Sequence, residues 1–180
     1  MRDVVYAKLT FAAGATLASA AALAAGSVVI DSTLPGHVSN TTINLANGIY
    51  TIPSSQGFVS GSGNALNLFH SFLTFNVDTG ETAQFTNDQA ATYASGSFSN
   101  IISRVTGGTP STINGTIDST AFTKANFWFI NPAGVTVGAT ARMNVPAGLA
   151  LGSADYIQFA DGSRWYALAS SAPTDRKSVV

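Results

Sequence analysis

The stretch of sequence that decides the fold is residues 126–166, NFWFINPAGVTVGATARMNVPAGLALGSADYIQFADGSRWY. Apolar residues alternate with small polar residues along it, charges are sparse, and Asn-Pro, Pro-Ala-Gly and Asp-Gly steps interrupt the alternation. Alternation with a period of two between such turn signals is typical of short β-strands joined by tight turns. The segment therefore predicts a β-rich protein whose function depends on shape and backbone hydrogen bonding rather than on reactive side chains.

Length and composition narrow the class of protein. A chain of 180 residues is long enough for one domain with a substantial core. Charged residues make up 9% of it, against roughly 25% in an ordinary soluble domain, and Ser, Thr, Asn and Gly replace them. The net charge of −1 gives no electrostatic basis for binding nucleic acid or an anionic membrane. The absence of cysteine excludes disulfides and thiolate metal sites.

The N-terminus is typical of an export signal. Arg2 and Lys8 supply positive charge, residues 9–25 are apolar and rich in Ala, and residues 22–24 (ALA) offer small side chains to a signal peptidase. No later segment is apolar over the length of a membrane span, so we expect no integral membrane segment after cleavage. The expected domains are a signal peptide (1–24), a folded β-domain (25–169) and a polar tail or truncated linker (170–180).

Turn signals divide the remaining chain into strands. Asn47-Gly48 lies between residues 42–45 and 49–52 and predicts a hairpin with a type I′ turn. Corners containing Gly and Asn recur at short, irregular intervals, which fits a β-solenoid in which stacked Asn side chains satisfy one another. A β-sandwich would use the same strands and turns. The pattern alone therefore leaves both architectures open.

Three blocks of sequence carry a resemblance to a known family. They are residues 67–85 (NLFHSFLTFNVDTGETAQF), residues 100–117 (NIISRVTGGTPSTINGTI) and residues 125–161 (opening ANFWFINPAGVTVGATARMNV). In this order they resemble the N-terminal secretion domain, or haemagglutination activity domain, of filamentous haemagglutinin-type exoproteins. These exoproteins are the secreted partners of two-partner secretion systems. Where members of the family carry Asn-Pro-Asn-Gly, this chain has Asn-Pro-Ala-Gly at residues 131–134.

The resemblance implies a right-handed parallel β-helix of the single-stranded pectin-lyase-like type, with roughly 20 residues per coil and antiparallel capping strands. It implies export through the periplasm of a Gram-negative-type bacterium to the cell surface or the medium. The implied partner is an outer-membrane β-barrel transporter whose POTRA domains recognise the chain. The family's domain nucleates folding of a longer passenger, commonly an adhesin. The alternative is a stand-alone secreted adhesive or glycan-binding β-helix module whose partner is a host-cell glycan or receptor.

Candidate site residues come from the resembling blocks. Asn131, Pro132 and Gly134 are candidates for transporter recognition, and the same residues also suit a solenoid corner in which proline fixes φ. Arg104 is a fourth candidate. Its alternative role is to bind loop carbonyl groups or a nearby carboxylate such as Asp118.

Aromatic residues give two further expectations. Trp165 and Tyr166, next to Arg164, are candidates for an exposed ligand contact. Trp128 lies among other aromatic residues, so we expect it in the core.

Three phenylalanines and two glycines each indicate a local departure from regular strand geometry. Phe69, Phe72 and Phe75 cannot all face one side of a regular strand, so we expect a β-bulge or a strand buried on both faces. Gly107 and Gly134 are expected at corners with positive φ. Replacing either glycine with Val would then destabilise the fold by more than about 1 kcal/mol.

Catalytic chemistry finds little support in the sequence. His70 and Ser71 are neighbours, but successive strand residues point to opposite faces, so they form a poor base and nucleophile pair. The one modest charged cluster comprises Asp155, Asp161 and Arg164, and an Asp-Gly turn already engages Asp161. Neither metal-ligand spacing nor a phosphate-binding loop occurs. We therefore expect no enzyme activity, no cofactor and no metal.

Overall fold

The structure of the protein, a computed structural model, describes residues 26–168. The predicted signal peptide (1–24) and polar tail (170–180) lie outside the described residues. Within them the chain is all-β, as predicted, with short 3-10 helices at Ser54–Gln56 and Ser95–Ser97. The strands are β1 (Val28–Ile30), β2 (Thr41–Ile43), β3 (Leu45–Ala46), β4 (Ile49–Pro53), β5 (Phe58–Ser60), β6 (Leu66–Phe75), β7 (Thr82–Thr86), β8 (Phe98–Val105), β9 (Ser111–Ile113), β10 (Thr116–Asp118), β11 (Asn126–Ile130), β12 (Val135–Val137), β13 (Arg142–Asn144), β14 (Leu149–Gly152), β15 (Tyr156–Gln158) and β16 (Arg164–Tyr166).

Ten of the sixteen strands form three ladders of parallel strands. The first ladder is β6, β8, β11 and β14, and the second is β4, β7, β10 and β13. The third ladder pairs β9 with β12, and an isolated parallel bridge from Val77 to Ile113 extends it. A β-sandwich pairs its strands antiparallel, so these parallel pairs exclude the sandwich alternative.

The chain visits the three ladders in a repeating order. After β8 in the first ladder it passes through β9 in the third and β10 in the second, and β11, β12 and β13 repeat that order. Equivalent positions in the first ladder are 33, 26 and 22 residues apart, against the expected 20 or so. The longest interval includes the turn-rich segment 87–97 between β7 and β8.

Antiparallel strands flank the parallel ladders, so the sheets are mixed, and none of the sheets described closes on itself. β1 and β5 pair with β6, and β2 pairs with β1. β3 and β4 form the predicted hairpin, because Asn47 (φ 52°) and Gly48 (φ 78°) both take the positive φ of a type I′ turn.

The core lies between the ladders and is built largely from aromatic side chains. Phe75 stands 4.9 Å from both Phe72 and Phe129, and Phe85 stands 5.0 Å from Phe127, measured between ring centroids. Each of these rings is at most 1% exposed. Such tilted and edge-to-face pairs add about 0.5–1.5 kcal/mol each beyond the burial of their surface.

The bulge predicted in the phenylalanine-rich strand is present. The register of β1 against β6 shifts next to Ile30. The shift allows Phe72 and Phe75 both to face the core, whereas Phe69 belongs to a second apolar cluster on the opposite face. Residues 68–72 are also buried on both faces of the strand. Both features that the spacing predicted are therefore confirmed.

The two glycines singled out in the sequence differ in conformation. Gly134 has φ +120°, so the expected positive φ is confirmed. Gly107 is not among the residues with positive φ, and that expectation was wrong. It is constrained instead by close packing, because a Cβ atom there would collide with the carbonyl oxygen of Leu73.

A row of asparagines runs along the first ladder. Asn100 donates from Nδ2 to Asn67 Oδ1 (2.8 Å), and Asn126 donates from Nδ2 to Asn100 Oδ1 (3.2 Å). The row ends where the backbone N–H of Gly148 donates to Asn126 Oδ1 (2.9 Å). The predicted stacking of Asn side chains on successive strands is confirmed.

Candidate functional site

A polar cluster lies on the outer face of the first ladder, the face that carries Phe69, Ser71, Ile102 and Arg104. Because side chains alternate along a strand, these residues point away from the core that holds their neighbours. Ser71 on β6 pairs in register with Arg104 on β8. The parallel register therefore sets a hydroxyl beside a guanidinium at a buried position.

The cluster is anchored by the Asp-Ser-Thr tripeptide that follows β1. Asp31 Oδ1 accepts hydrogen bonds from the backbone N–H (2.9 Å) and Oγ1 (2.7 Å) of Thr33, as in an Asx turn. The same tripeptide ends β10, where Asp118 Oδ1 binds the backbone N–H and Oγ1 of Thr120. This repeated tripeptide is a signal that could have located both turns from the sequence.

Two hydroxyl groups connect Asp31 with Arg104. Ser71 Oγ donates to Asp31 Oδ2 (2.7 Å) and accepts from Arg104 Nε (2.8 Å). Thr33 Oγ1 donates to Asp31 Oδ1 and accepts from Arg104 Nη2 (2.7 Å). Opposite charges therefore face one another through shared hydroxyls, an arrangement that satisfies buried polar atoms.

Burial and hydrogen bonding have opposite effects on the pKa values in this cluster. Burial raises the pKa of the Asp31 carboxyl, but hydrogen bonds from Thr106, Thr33 and Ser71 outweigh burial and hold the pKa below its ordinary value. Burial lowers the pKa of the Arg104 guanidinium, and the charge of Asp31 opposes that change. Arginine stays protonated in proteins, so the cluster holds one carboxylate and one guanidinium.

Arg104 also binds the last strand of the described chain. Its Nη1 donates to the backbone carbonyl oxygen of Tyr166 (2.6 Å), and its guanidinium lies 4.7 Å from the ring centroid of Trp165. The structure thus brings together three of the predicted site residues. Arg104 was expected to bind loop carbonyl groups or a carboxylate such as Asp118. The carbonyl group that it binds belongs to strand β16 and not to a loop, and the carboxylate that faces it is Asp31.

Trp165 and Tyr166 are half-buried rather than fully exposed. Trp165 packs on Phe69 with ring centroids 5.1 Å apart, within an apolar cluster built on Leu34, Phe69 and Ile102. Tyr166 pairs with Tyr156 across the β15–β16 hairpin at 5.4 Å. Their proposed contact with a ligand stays a prediction.

Asn131, Pro132 and Gly134 form a separate corner between β11 and β12. The side chain of Asn131 is fully buried and donates to Thr109 O (3.0 Å) and Ser111 Oγ (2.9 Å). Its Oδ1 accepts from a backbone N–H two residues along the chain. Asn131 therefore shapes the corner from within. Pro132 is half-buried, and Ala133 is exposed.

Trp128 is not in the core, and the expectation that placed it there was wrong. Its neighbours Phe127 and Phe129 point inward, so the alternation of the strand directs the indole outward, where 37% of it is exposed. Its Nε1 donates to Asn100 Oδ1 (3.0 Å). Beside it lies an open groove whose lining includes Trp128, Ile130, Leu151, Tyr156, Ile157 and Gln158.

Other reactive groups do not converge on this site. His70 points into the core, stacked on Phe72 at 6.0 Å. Asp161 accepts bonds from Ser163 in its Asp-Gly turn, and Arg164 lies over the ring of Tyr156. Over residues 26–168 there is neither a group of three acidic or histidine side chains able to hold a metal ion nor a helix that could cross a membrane.

Comparison with known proteins gives one match. The family model described as TPS secretion domain matches residues 28–179. No curated protein and no solved structure matches the chain. The matched range includes all the strands described above.

Proposed function

The chain belongs to the TPS secretion domain family, the N-terminal domains of two-partner secretion exoproteins, and we propose that POTRA domains of an outer-membrane β-barrel transporter recognise it. Membership implies a protein that a Gram-negative two-partner system secretes, and hence a transporter partner. It also identifies a secretion family rather than a catalytic one. The match over residues 28–179 is the observation that carries the proposal.

The finer architecture that we propose is a right-handed parallel β-helix whose three faces are the three ladders, with β1, β2, β3 and β5 as caps. The repeated passage of the chain through the ladders supports it. At the other end, β12, β13 and β14 each have a strand neighbour on one side among the described residues. Apolar side chains there, such as Met143 and Leu151, are partly exposed, so a following coil can stack on them.

The proposed domain boundaries follow the sequence. Residues 1–24 act as the signal peptide, residues 25–169 form the secretion domain and residues 170–180 form a polar tail. The protein then reaches the cell surface or the medium through the periplasm. Its passenger activity is adhesin-like or haemagglutinin-like in this proposal.

The recognition surface that we propose is the corner that contains Asn131, Pro132 and Gly134. Asn131 and Gly134 hold its shape, through buried hydrogen bonds and positive φ respectively. Pro132 and Ala133 present its surface to the transporter. Arg104 contributes indirectly, because it is buried and its hydrogen bonds hold other parts of the domain together.

Binding to purified POTRA domains of a transporter encoded beside this gene tests the proposal. We expect saturable binding that Ala133→Arg weakens by about tenfold, because a charged side chain at an interface centre disrupts packing. Ala139→Arg, at an exposed alanine in the next turn, is the matched control and should bind like the original protein. Absence of binding by protein that circular dichroism shows to be folded would refute the proposal.

An adhesive or glycan-binding module is the second candidate function. The groove beside Trp128 and Tyr156 favours it, because exposed aromatic rings next to amide groups suit sugar rings. In this candidate Trp165 and Tyr166 support the groove from the adjacent hairpin. Binding to a glycan array that Trp128→Ala abolishes, together with no binding to POTRA domains, would favour this function.

A further inference from the structure

The β15–β16 hairpin is a separate unit of the fold. Its two strands form a sheet of their own, and no strand pairing joins them to the three ladders among the described residues. An isolated two-stranded hairpin is marginally stable in water. Its position must therefore depend on side-chain contacts with the surface that it covers.

That surface is an apolar patch that lies over the outer face of the first ladder and includes one residue from the loop after β1. Leu34, Phe69 and Ile102 form it, and each is at most 8% exposed while the hairpin is in place. From the hairpin, Phe159 and Trp165 pack on Phe69 with ring centroids 6.2 and 5.1 Å away. Removing the hairpin would expose this patch to water.

Arg104 is the polar connection between the hairpin and the rest of the domain. Its Nη1 donates a hydrogen bond to Tyr166 O on β16, and its Nη2 donates to Thr33 Oγ1 in the loop after β1. Its Nε donates to Ser71 Oγ on β6. The planar guanidinium fixes the directions of these three donors. All three bonds form together only when the loop after β1, the first ladder and the hairpin occupy their final positions.

We propose that the β15–β16 hairpin is a strap that opens independently of the parallel ladders, with Arg104 as its latch. The open strap exposes the Leu34–Phe69–Ile102 patch while the ladders stay folded. The closed strap forms only on a domain in which the loop after β1 and the first ladder are already in place. This device goes beyond recognition by a transporter and does not depend on it.

Trypsin provides a direct assay, because Arg164 lies within the strap. We compare the purified protein with Arg104→Gln and with Lys124→Gln, an exposed basic residue that serves as the matched control. Mass spectrometry follows cleavage after Arg164 and after Arg142, the latter in β13 and reporting on the ladders. We expect cleavage after Arg164 to accelerate about tenfold in Arg104→Gln only, because local opening sets the rate of proteolysis.

Three results would overturn the proposal. The first is cleavage after Arg164 at the same rate in Arg104→Gln and the original protein. The second is equal acceleration after Arg164 and Arg142, which would mean that the strap and the ladders unfold together. If Arg104→Gln does not fold, Trp165→Ala decides, since it leaves the bonds among Asp31, Ser71 and Arg104 in place. Failure of this variant to open the strap on folded ladders is the third overturning result.

Discussion

At the scale of single residues, the buried charge of Arg104 is balanced through oxygen atoms from distant parts of the chain. Its acceptors in Ser71, Tyr166 and Thr33 are 33, 62 and 71 residues away in sequence. Two of the three acceptors, Ser71 and Thr33, in turn donate hydrogen bonds to the carboxylate of Asp31. Truncating a buried, hydrogen-bonded charge of this kind is expected to lower the free energy of unfolding, because its hydrogen-bond partners are left unsatisfied.

His70 is the second buried ionisable group that matters at this scale. It is fully buried, its Nδ1 has no hydrogen-bond partner within the described part of the chain, and its Nε2 lies 3.4 Å from Pro53 O. Burial lowers its pKa from 6.5 to about 4, although the contact with Pro53 acts in the opposite direction. The imidazole is therefore neutral in the folded protein at neutral pH.

We predict that stability falls as the pH drops from 6.5 to about 4. In this window the unfolded chain protonates His70 and the folded chain does not, so the free energy of unfolding decreases by up to about 1.4 kcal/mol per pH unit. Above pH 6.5, His70 is neutral in both the folded and the unfolded chain, so it adds nothing to the pH dependence of the free energy of unfolding. Urea melts of the original protein and of His70→Leu at several pH values measure the effect.

The total loss attributable to His70 is about 3 kcal/mol at pH 4, and His70→Leu should flatten that part of the profile. His37→Gln, at the half-buried second histidine, is the control and should keep most of the slope, because burial is the largest cause of the lowered pKa of His70 and the charge of His37 only adds to it. An unchanged slope in His70→Leu would show that other groups cause the acid sensitivity.

Residue-scale features were predictable when their causes are local. Asn47-Gly48 and Asp161-Gly162 were identified because a turn depends on the φ preferences of adjacent residues. The carboxylate facing Arg104 was misassigned to Asp118 because nothing in the neighbouring sequence identifies a partner contributed by the loop after β1. Gly107 was expected to be required for a positive φ, whereas it is required for close packing. The sequence around it could not show this, because the atom that a Cβ would meet, the carbonyl oxygen of Leu73, belongs to β6.

At the scale of elements, the parallel register of the first ladder is fixed by both apolar and polar rows. Leu68, Ile101, Phe127 and Leu149 align across its strands. Beside this apolar row runs the asparagine row described above. Its half-buried amides bind one another across strands, so a slipped register would break several hydrogen bonds together.

We predict that Asn100→Ala destabilises the protein by about 1–2 kcal/mol in a urea melt. The substitution removes the donor to Asn67 and the acceptor of bonds from Asn126 and Trp128, although water replaces part of what is lost. Asn44→Ala, at an exposed asparagine, is the matched control and should change stability by less than about 0.5 kcal/mol. Equal effects of the two substitutions would contradict a stabilising role for the row.

The strands themselves were largely predictable, whereas some side-chain directions were assigned wrongly. The phenylalanine spacing predicted a bulge or a strand buried on both faces, because regular alternation cannot direct Phe72 and Phe75 to one face, and β6 has both features. Trp128 was assigned to the core from its aromatic surroundings, although strict alternation between Phe127 and Phe129 already directs it outward. Periodicity was the better guide there than composition.

At the scale of the whole molecule, strand pattern alone could not choose between a sandwich and a solenoid. Both use short alternating strands, and the choice depends on which distant strands become neighbours. The family resemblance indicated parallel pairing, and the three parallel ladders agree with it. The varying intervals of 33, 26 and 22 residues explain why no fixed repeat is visible in the sequence.

In the proposed function, this domain directs its own export through a dedicated transporter. The most direct measurement is the amount of the full chain in the medium of a Gram-negative host that expresses it with or without the transporter encoded beside it. We predict accumulation outside the cell only when the transporter is present, with the protein retained in the periplasm otherwise. Equal amounts in the medium with and without the transporter would contradict the claim.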